Sequence, residues 1–315
     1  AREYLSLICP QQTRVIPGQM TALLRRNFGL NNVLSHDGEK NRNDHRHHAV
    51  DACVVAVTDQ GLLQKFAKAS ADTRANQVDK LVQSMPLPWA TFRKHVQRAV
   101  SQIWVSHKPD HGFEGAMLKA TALGLLSDGR VRSRKADRSE NALGEKRSNI
   151  VLISDKRAKH RHGLLPDGSP KPYKAYEGGS NYCIEVVADK ENGKWLGEMV
   201  STYQAYQAFR ALGVEALRDR RKSLTGKALI MRLMIGDMVA LTDDSGCKVI
   251  FRVVKLSNGT ITLAHHHEGN VAARNSSSDD SFKYTYKTAS SLRKARGRMV
   301  TVTPIGVLHD PGFRD

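Results

Sequence analysis

The sequence predicts an α/β part over residues 1–108, a basic middle segment over 109–176 and a β-rich antiparallel part over 177–315. Three observations carry this division. The first third reads as a short strand followed by three helices, and between Asp128 and Lys174 there are 13 Lys and Arg against 6 Asp and Glu. From Asn181 onward, apolar and polar residues alternate in period two between glycine-containing turns. At 315 residues the chain is long enough for two or three domains.

A strand is expected over residues 13–16 and a helix over 18–28. The stretch NRNDHRHHAVDACVVAVTDQGLLQKFAKAS, residues 41–70, is the most informative in the chain. Its helix is apolar on almost every side, yet opens with His45, Arg46, His47, His48 and Asp51, so its first turns should face a polar site. With Asp44 as the expected N-cap, His48 and Asp51 lie three residues apart on one face, within reach of a common ion or water. The same spacing fits a capped core helix with solvated histidines. A further helix is expected over 89–103, and a Pro-punctuated polar stretch, 107–115, closes the first part.

The middle segment has few aromatics and turns at Asp128-Gly129 and Asp167-Gly168. Its Arg130, Arg132, Arg134, Lys135, Lys156, Arg157, Lys159 and Arg161 suit a surface facing nucleic-acid phosphates, with His160 and His162 interleaved among them. In the last part NYCIEVVAD, KWLGEMVS, DMVALTD, CKVIFRVVKL, TITLAHH and MVTVTPIGVL read as strands of a twisted antiparallel sheet or partial barrel. One helix, over 201–212, crosses it. The polar tract 275–281 is expected as a mobile loop, and His265, His266 and His267 as residues decorating a strand end.

Composition narrows the function. A formal charge of +18 and a pI of about 9.9 point to a polyanion. No run approaches the roughly 18 to 20 apolar residues of a membrane span, and no basic amphipathic helix stands apart. Cys9, Cys53, Cys183 and Cys247 form no CxxC pair, which argues against a zinc ribbon and suits a reducing cytoplasm. The opening AREYLSLICPQQ is too short and too quickly polar for a signal peptide, and the chain is expected to be an internal or C-terminal portion of something longer.

The order K-N-R-N-D-H-R-H-H-A-V-D-A, followed by a small apolar helix, resembles the third RuvC segment of the Cas9 family of type II CRISPR RNA-guided DNA endonucleases, in particular its compact type II-C branch. The preceding VIPGQMTALLRRNFGLNNVL is similar to the run leading into that motif. PLPWATF, IWVSHKPDH, NYCIEVV and LMIGDMVAL follow in the family's order.

This resemblance implies an RNase H-like (RuvC) portion over 1–108, a wedge domain over 109–176 that grips guide RNA, and a domain over 177–315 that reads the protospacer-adjacent motif (PAM). In that family guide pairing reads the target and the protein reads only the PAM. By motif position Asp51 is a metal ligand, His48 binds metal or helps activate water, and His47 positions its neighbour. The cofactor implied is Mg2+, with Mn2+ as a substitute. The partners implied are guide RNA (crRNA and tracrRNA, or a single guide), target double-stranded DNA, the rest of the nuclease (RuvC segments one and two, HNH, helical lobe) and anti-CRISPR inhibitors, in a bacterial cytoplasm. The PAM-reading candidates are Ser257, Asn258 and Thr260 on a hairpin, and Arg293, Arg296 and Arg298 beyond it. Asp51 alone cannot assemble a two-metal site, so the chain in isolation is expected to be inactive. Two other classes stay open: a stand-alone or transposon-related RuvC-like nuclease, and a non-catalytic nucleic-acid-binding module.

Overall fold

The computed structural model describes residues 2–10, 13, 15–35, 38–72, 77–109, 112, 113, 115–125, 150–154, 163–189, 191–278 and 282–313. By internal contacts the chain divides into two units, one of residues 1–105 with 267–280, the other of residues 106–266 with 281–315.

The first unit is helical among its described residues: α1 (Arg2–Ile8), α2 (Gly18–Asn27), a 3-10 turn at Leu30–Val33, α3 (His47–Ala56), α4 (Gln60–Ala71), α5 (Gln77–Gln83), α6 (Phe92–Ser101) and a short helix at Val271–Ser276. Met20, Leu24 and Phe28 fall at intervals of four, as do Phe92, Val96 and Val100, and Val50 and Val54. Each set makes one apolar stripe, and the stripes meet in a common core with Leu30, Phe66 and Val82. Phe28 and Phe92 meet edge to face with ring centroids 5.6 Å apart. Gly29 follows Phe28 at φ +66°, where Arg93 crosses its α-carbon and donates from Nε to the Phe28 carbonyl at 3.1 Å. The strand expected over 13–16 is absent among the described residues there. Pro17, which follows, has no N–H to give a ladder and instead caps α2.

The second unit is antiparallel β. β1 (Leu118–Leu123), β2 (Ile150–Ile153) and β3 (Lys174–Gly178) pair in the order β1-β3-β2. β4 (Asn181–Ala188) is flanked by β5 (Trp195–Ser201) and β6 (Leu229–Leu233). The largest sheet runs β10-β9-β8-β7-β11-β12, where β7 is Met238–Thr242, β8 Lys248–Ser257, β9 Thr260–His265, β10 Thr285–Lys287, β11 Arg298–Val302 and β12 Leu308–His309. Ile184, Val186, Trp195 and Leu233 of the second sheet share a core with Val239, Val253 and Leu263 of the third. The helix α7 (Thr202–Leu212) starts from a capping box in which Ser201 and Gln204 bond reciprocally. Each of the six strand runs read from the sequence contains a strand. The tract expected to be a loop over 275–281 is in part helical, because Asn275 and Ser276 finish the helix Val271–Ser276; residues 279–281 lie outside the described residues.

Candidate functional site

Helix α3 carries the histidines and Asp51. Its N-cap is Arg46, which makes no side-chain capping bond, and Asp44 lies two residues further out. This corrects the expectation that Asp44 is the N-cap. The Asp44 carboxylate accepts the Arg46 N–H at 2.9 Å and grips the Arg46 guanidinium, with Nη2 2.6 Å from Oδ2. Burial pushes the Asp44 carboxyl up, but the bonds from Arg46 outweigh it and hold the group below its usual value.

The backbone carbonyl of Asp44 lies 2.6 Å from His47 Nδ1. A carbonyl only accepts, so Nδ1 carries the hydrogen and Nε2 is left as the ring's acceptor. Burial is the largest cause lowering the His47 pKa. The exposed ring of His48 lies beside that of His47, with centroids 4.0 Å apart and planes tilted by 34°.

Asp51 is held by two cations. Arg25 Nη1 reaches Oδ1 and Lys40 Nζ reaches Oδ2, each at 2.5 Å. Arg25 is itself steadied by donating from Nε to Asn31 Oδ1 at 2.7 Å. Burial pushes the Asp51 carboxyl up, while the hydrogen bonds from Lys40 and Arg25 more than reverse this and keep it ionised below the usual carboxylate range. The Asp51 side chain is 23% exposed. An ionised carboxylate and an imidazole are oxygen and nitrogen donors suited to a hard divalent cation, with Arg25 and Lys40 now balancing the charge. Among the described residues, no three His, Cys, Asp or Glu side chains converge as a metal site. Asp51 and His48 thus form no complete metal site among the described residues.

Residues 267–269 run beside the entry to this helix. Asp44 and Glu268 form an antiparallel bridge, His45 N–H donates to the His267 carbonyl at 2.9 Å, and Gly269 N–H donates to the Asn43 carbonyl at 2.7 Å. Around that pairing lies a charged cluster. Glu268 Oε2 is 2.8 Å from Arg274 Nε, and His267 Nε2 is 4.0 Å from Asp44 Oδ2 and 3.9 Å from Glu268 Oε1. Asp44 and Glu268 are both buried. Arg25, Lys40, Glu268 and Arg274 were not singled out from the sequence. Lys40 stood at the start of the histidine motif, whereas Glu268 and Arg274 carried no signal so far along the chain.

The other sequence candidates lie apart from this site. Ser257 and Thr260 pair across a hairpin whose two turn residues, Asn258 and Gly259, have φ of +50° and +74°. Positive φ at both central residues is the turn that suits a twisted hairpin, and it leaves Asn258 exposed. Arg293 donates to the Gly193 carbonyl at 2.9 Å, and Arg298 is bound by Asp310 through two 2.6 Å bonds. Arg296 is exposed, with its guanidinium 5.1 Å from the centre of the Phe313 ring. Arg130, Arg132, Arg134, Lys135, Lys156, Arg157, Lys159 and Arg161 lie outside the described residues, as do His160 and His162.

Residues 1–112 match the family model for RuvC endonuclease subdomain 3. The whole fold is similar to the type II-C Cas9 enzyme from Actinomyces naeslundii, at TM-score 0.55 and 15% identity, covering 98% of this chain and 41% of that one. It is also similar to Corynebacterium diphtheriae Cas9, solved in complex with sgRNA and target DNA, at TM-score 0.54 and 14% identity, covering 98% of this chain and 44% of that one. The chain thus spans about two fifths of the length of these structures. No curated protein sequence matches it.

Proposed function

We propose, on the premise that this chain carries a RuvC subdomain 3 and folds as a C-terminal portion of Cas9, that it completes the RuvC site of an RNA-guided DNA endonuclease and carries its PAM-reading surface. The observation that supports this most is the placement of an ionised, partly exposed Asp51 and an exposed His48 on one helix inside the matched region. Asp51 and His48 are the residues that would hold Mg2+, with the remaining carboxylates coming from RuvC segments one and two. Bound there, divalent ions would activate water and stabilise the leaving oxygen of the displaced, non-target strand. The residues of this chain hold and aim the ligands. Arg25 and Lys40 keep Asp51 ionised, and the Asp44 carbonyl fixes the His47 ring against which His48 rests.

Residues 109–176 act as the wedge that neutralises guide-RNA phosphates, and 177–315 as the PAM-interacting part. Within the latter, the hairpin residues Ser257, Asn258 and Thr260 and the exposed Arg296 are the stronger base-reading candidates, since Arg293 and Arg298 already have protein partners. A base-reading Arg296 changed to Ala should cost about 1–3 kcal/mol and relax preference at one PAM position, whereas loss of a phosphate contact would weaken all sequences alike. A PAM-library assay separates the two.

The catalytic assignment is tested with Asp51→Ala in the complete guide-loaded nuclease, with the two DNA strands labelled separately. Non-target-strand cutting should be abolished, and guided binding and target-strand cutting retained. His48→Ala should slow the same strand by about 10²–10⁴-fold. Normal cutting of both strands by Asp51→Ala would remove the assignment and favour a binding module.

A further inference from the structure

The chain leaves the first unit after residue 105 and comes back to it only for residues 267–280, between β9 and β10. What this excursion touches is the entry to the histidine helix. Two backbone hydrogen bonds, which together form the Asp44–Glu268 bridge, fasten residues 43–45 to 267–269, and the Asp44, Arg46, His267, Glu268 and Arg274 side chains lie around them. Helix α3 needs such a fastening at its start. It has no side-chain cap of its own, and its buried anchors, Val50 and Val54, begin a turn later. From buried Asp44 the position passes outward by contact, from its carbonyl to His47 Nδ1 at 2.6 Å and from the His47 ring to that of exposed His48 at 4.0 Å.

We infer that the returning segment, whose Glu268 is bridged through the backbone to Asp44 and paired through its side chain with Arg274, positions the first turn of the histidine helix, and that Glu268 and Arg274 are positioning residues for cleavage at the RuvC site. The inference rests on the reading of His48 and Asp51 given above. Glu268 and Arg274 meet at 2.8 Å with both side chains largely buried, and an ion pair that close in a partly buried site holds its groups more narrowly than an apolar contact, because charge attraction there is weakly screened. A reacting group displaced by about 1 Å can cost on the order of 100-fold in rate. Loss of the pair should therefore be felt at the reacting strand before it is felt in folding.

The test uses the complete guide-loaded nuclease in single turnover, following both strands, DNA affinity and the Mg2+ concentration for half-maximal cutting. Arg274→Ala and Glu268→Ala should each slow non-target-strand cutting by about 10- to 100-fold and raise the Mg2+ requirement for that strand. Target-strand cutting and affinity should hold, and Arg274→Lys, which can still pair with Glu268, should recover most of the rate. Should Arg274→Ala fail to fold, Arg274→Gln is read in the same way. Equal loss on both strands, an unchanged Mg2+ requirement, or no recovery with Lys would overturn the inference and leave a merely structural pair. Asp51→Ala runs alongside: if it abolishes non-target cutting while the Arg274 and Glu268 variants do nothing, only this inference fails. If it too leaves cutting intact, the site assignment fails first.

Discussion

Arg298 and Asp310 show what a sequence leaves undecided about a single residue. The arginine stands in SSLRKARGR, a run that invites nucleic-acid contact, yet its Nε and Nη2 are spent on one carboxylate twelve residues away. Hydrogen bonds from Arg298 outweigh burial and hold the Asp310 carboxyl far below its usual value. A carboxyl depressed in the folded state stabilises above its unfolded pKa of about 3.9 and loses that contribution as pH falls through the lower folded value. Asp310→Asn should thus lower stability by about 1 kcal/mol at neutral pH, and the gap in Tm from the parent should narrow as pH drops below about 4. A gap independent of pH would refute the role. The sequence places Asp51 and His48 one turn apart on one helix, as the structure does, because their motif is local. The Asp51 partners Arg25 and Lys40 were not legible, because the contacts come from 26 and 11 residues upstream. Asp44 was legible as a helix-entry residue, but spacing alone cannot say whether its carboxylate caps the helix or, as here, binds the next arginine.

Elements were read where a period exists to be read. The helix expected over 18–28 is α2, whose stripe is Met20, Leu24 and Phe28, and alternation identified β4, β5, β7, β8, β9 and β11. β6 escaped, since LIMRL has no clean alternation, and the reason lies in its fourth residue. Arg232 reaches across to Glu185 in the centre of β4 with Nε and Nη2 at 2.9 and 2.5 Å, both side chains at least nine tenths buried. The same guanidinium holds the Leu217 and Asp219 carbonyls, so the pair ties the end of the short helix Val214–Arg218 to the sheet. Glu185→Ala would strand a buried cation and should cost about 3–5 kcal/mol, measured by denaturant unfolding, while replacing Glu185 and Arg232 together with apolar residues should cost far less. Additive losses in that cycle would contradict the coupling.

At the scale of the molecule, the charge of +18 leads one to expect a polyanion partner and does not say where it would lie. If the middle segment is the phosphate-facing surface, changing Arg130, Arg132, Lys156 and Arg157 to Ala should reduce the slope of log affinity against log salt by roughly 3 to 4. An unchanged slope would place the nucleic acid elsewhere. The sequence reads as three consecutive stretches, and composition marks them. It could not reveal that residues 267–280 belong with the first 105, because a polar tract between two strands has the same composition whether it is a loop or a docked segment.

That interruption bears on how such a chain can be recombined. Exchanging residues 106–315 for those of a relative, the cut that the proposed PAM-reading role would suggest, would also bring in a foreign partner for Asn43, Asp44 and His45. A hybrid that respects the fold needs three junctions, near 105, 266 and 281, and keeps the native 267–280 with the native helix. Drift in either partner then restricts drift in the other, so the two stretches should be inherited as a pair although more than 200 residues separate them in the chain.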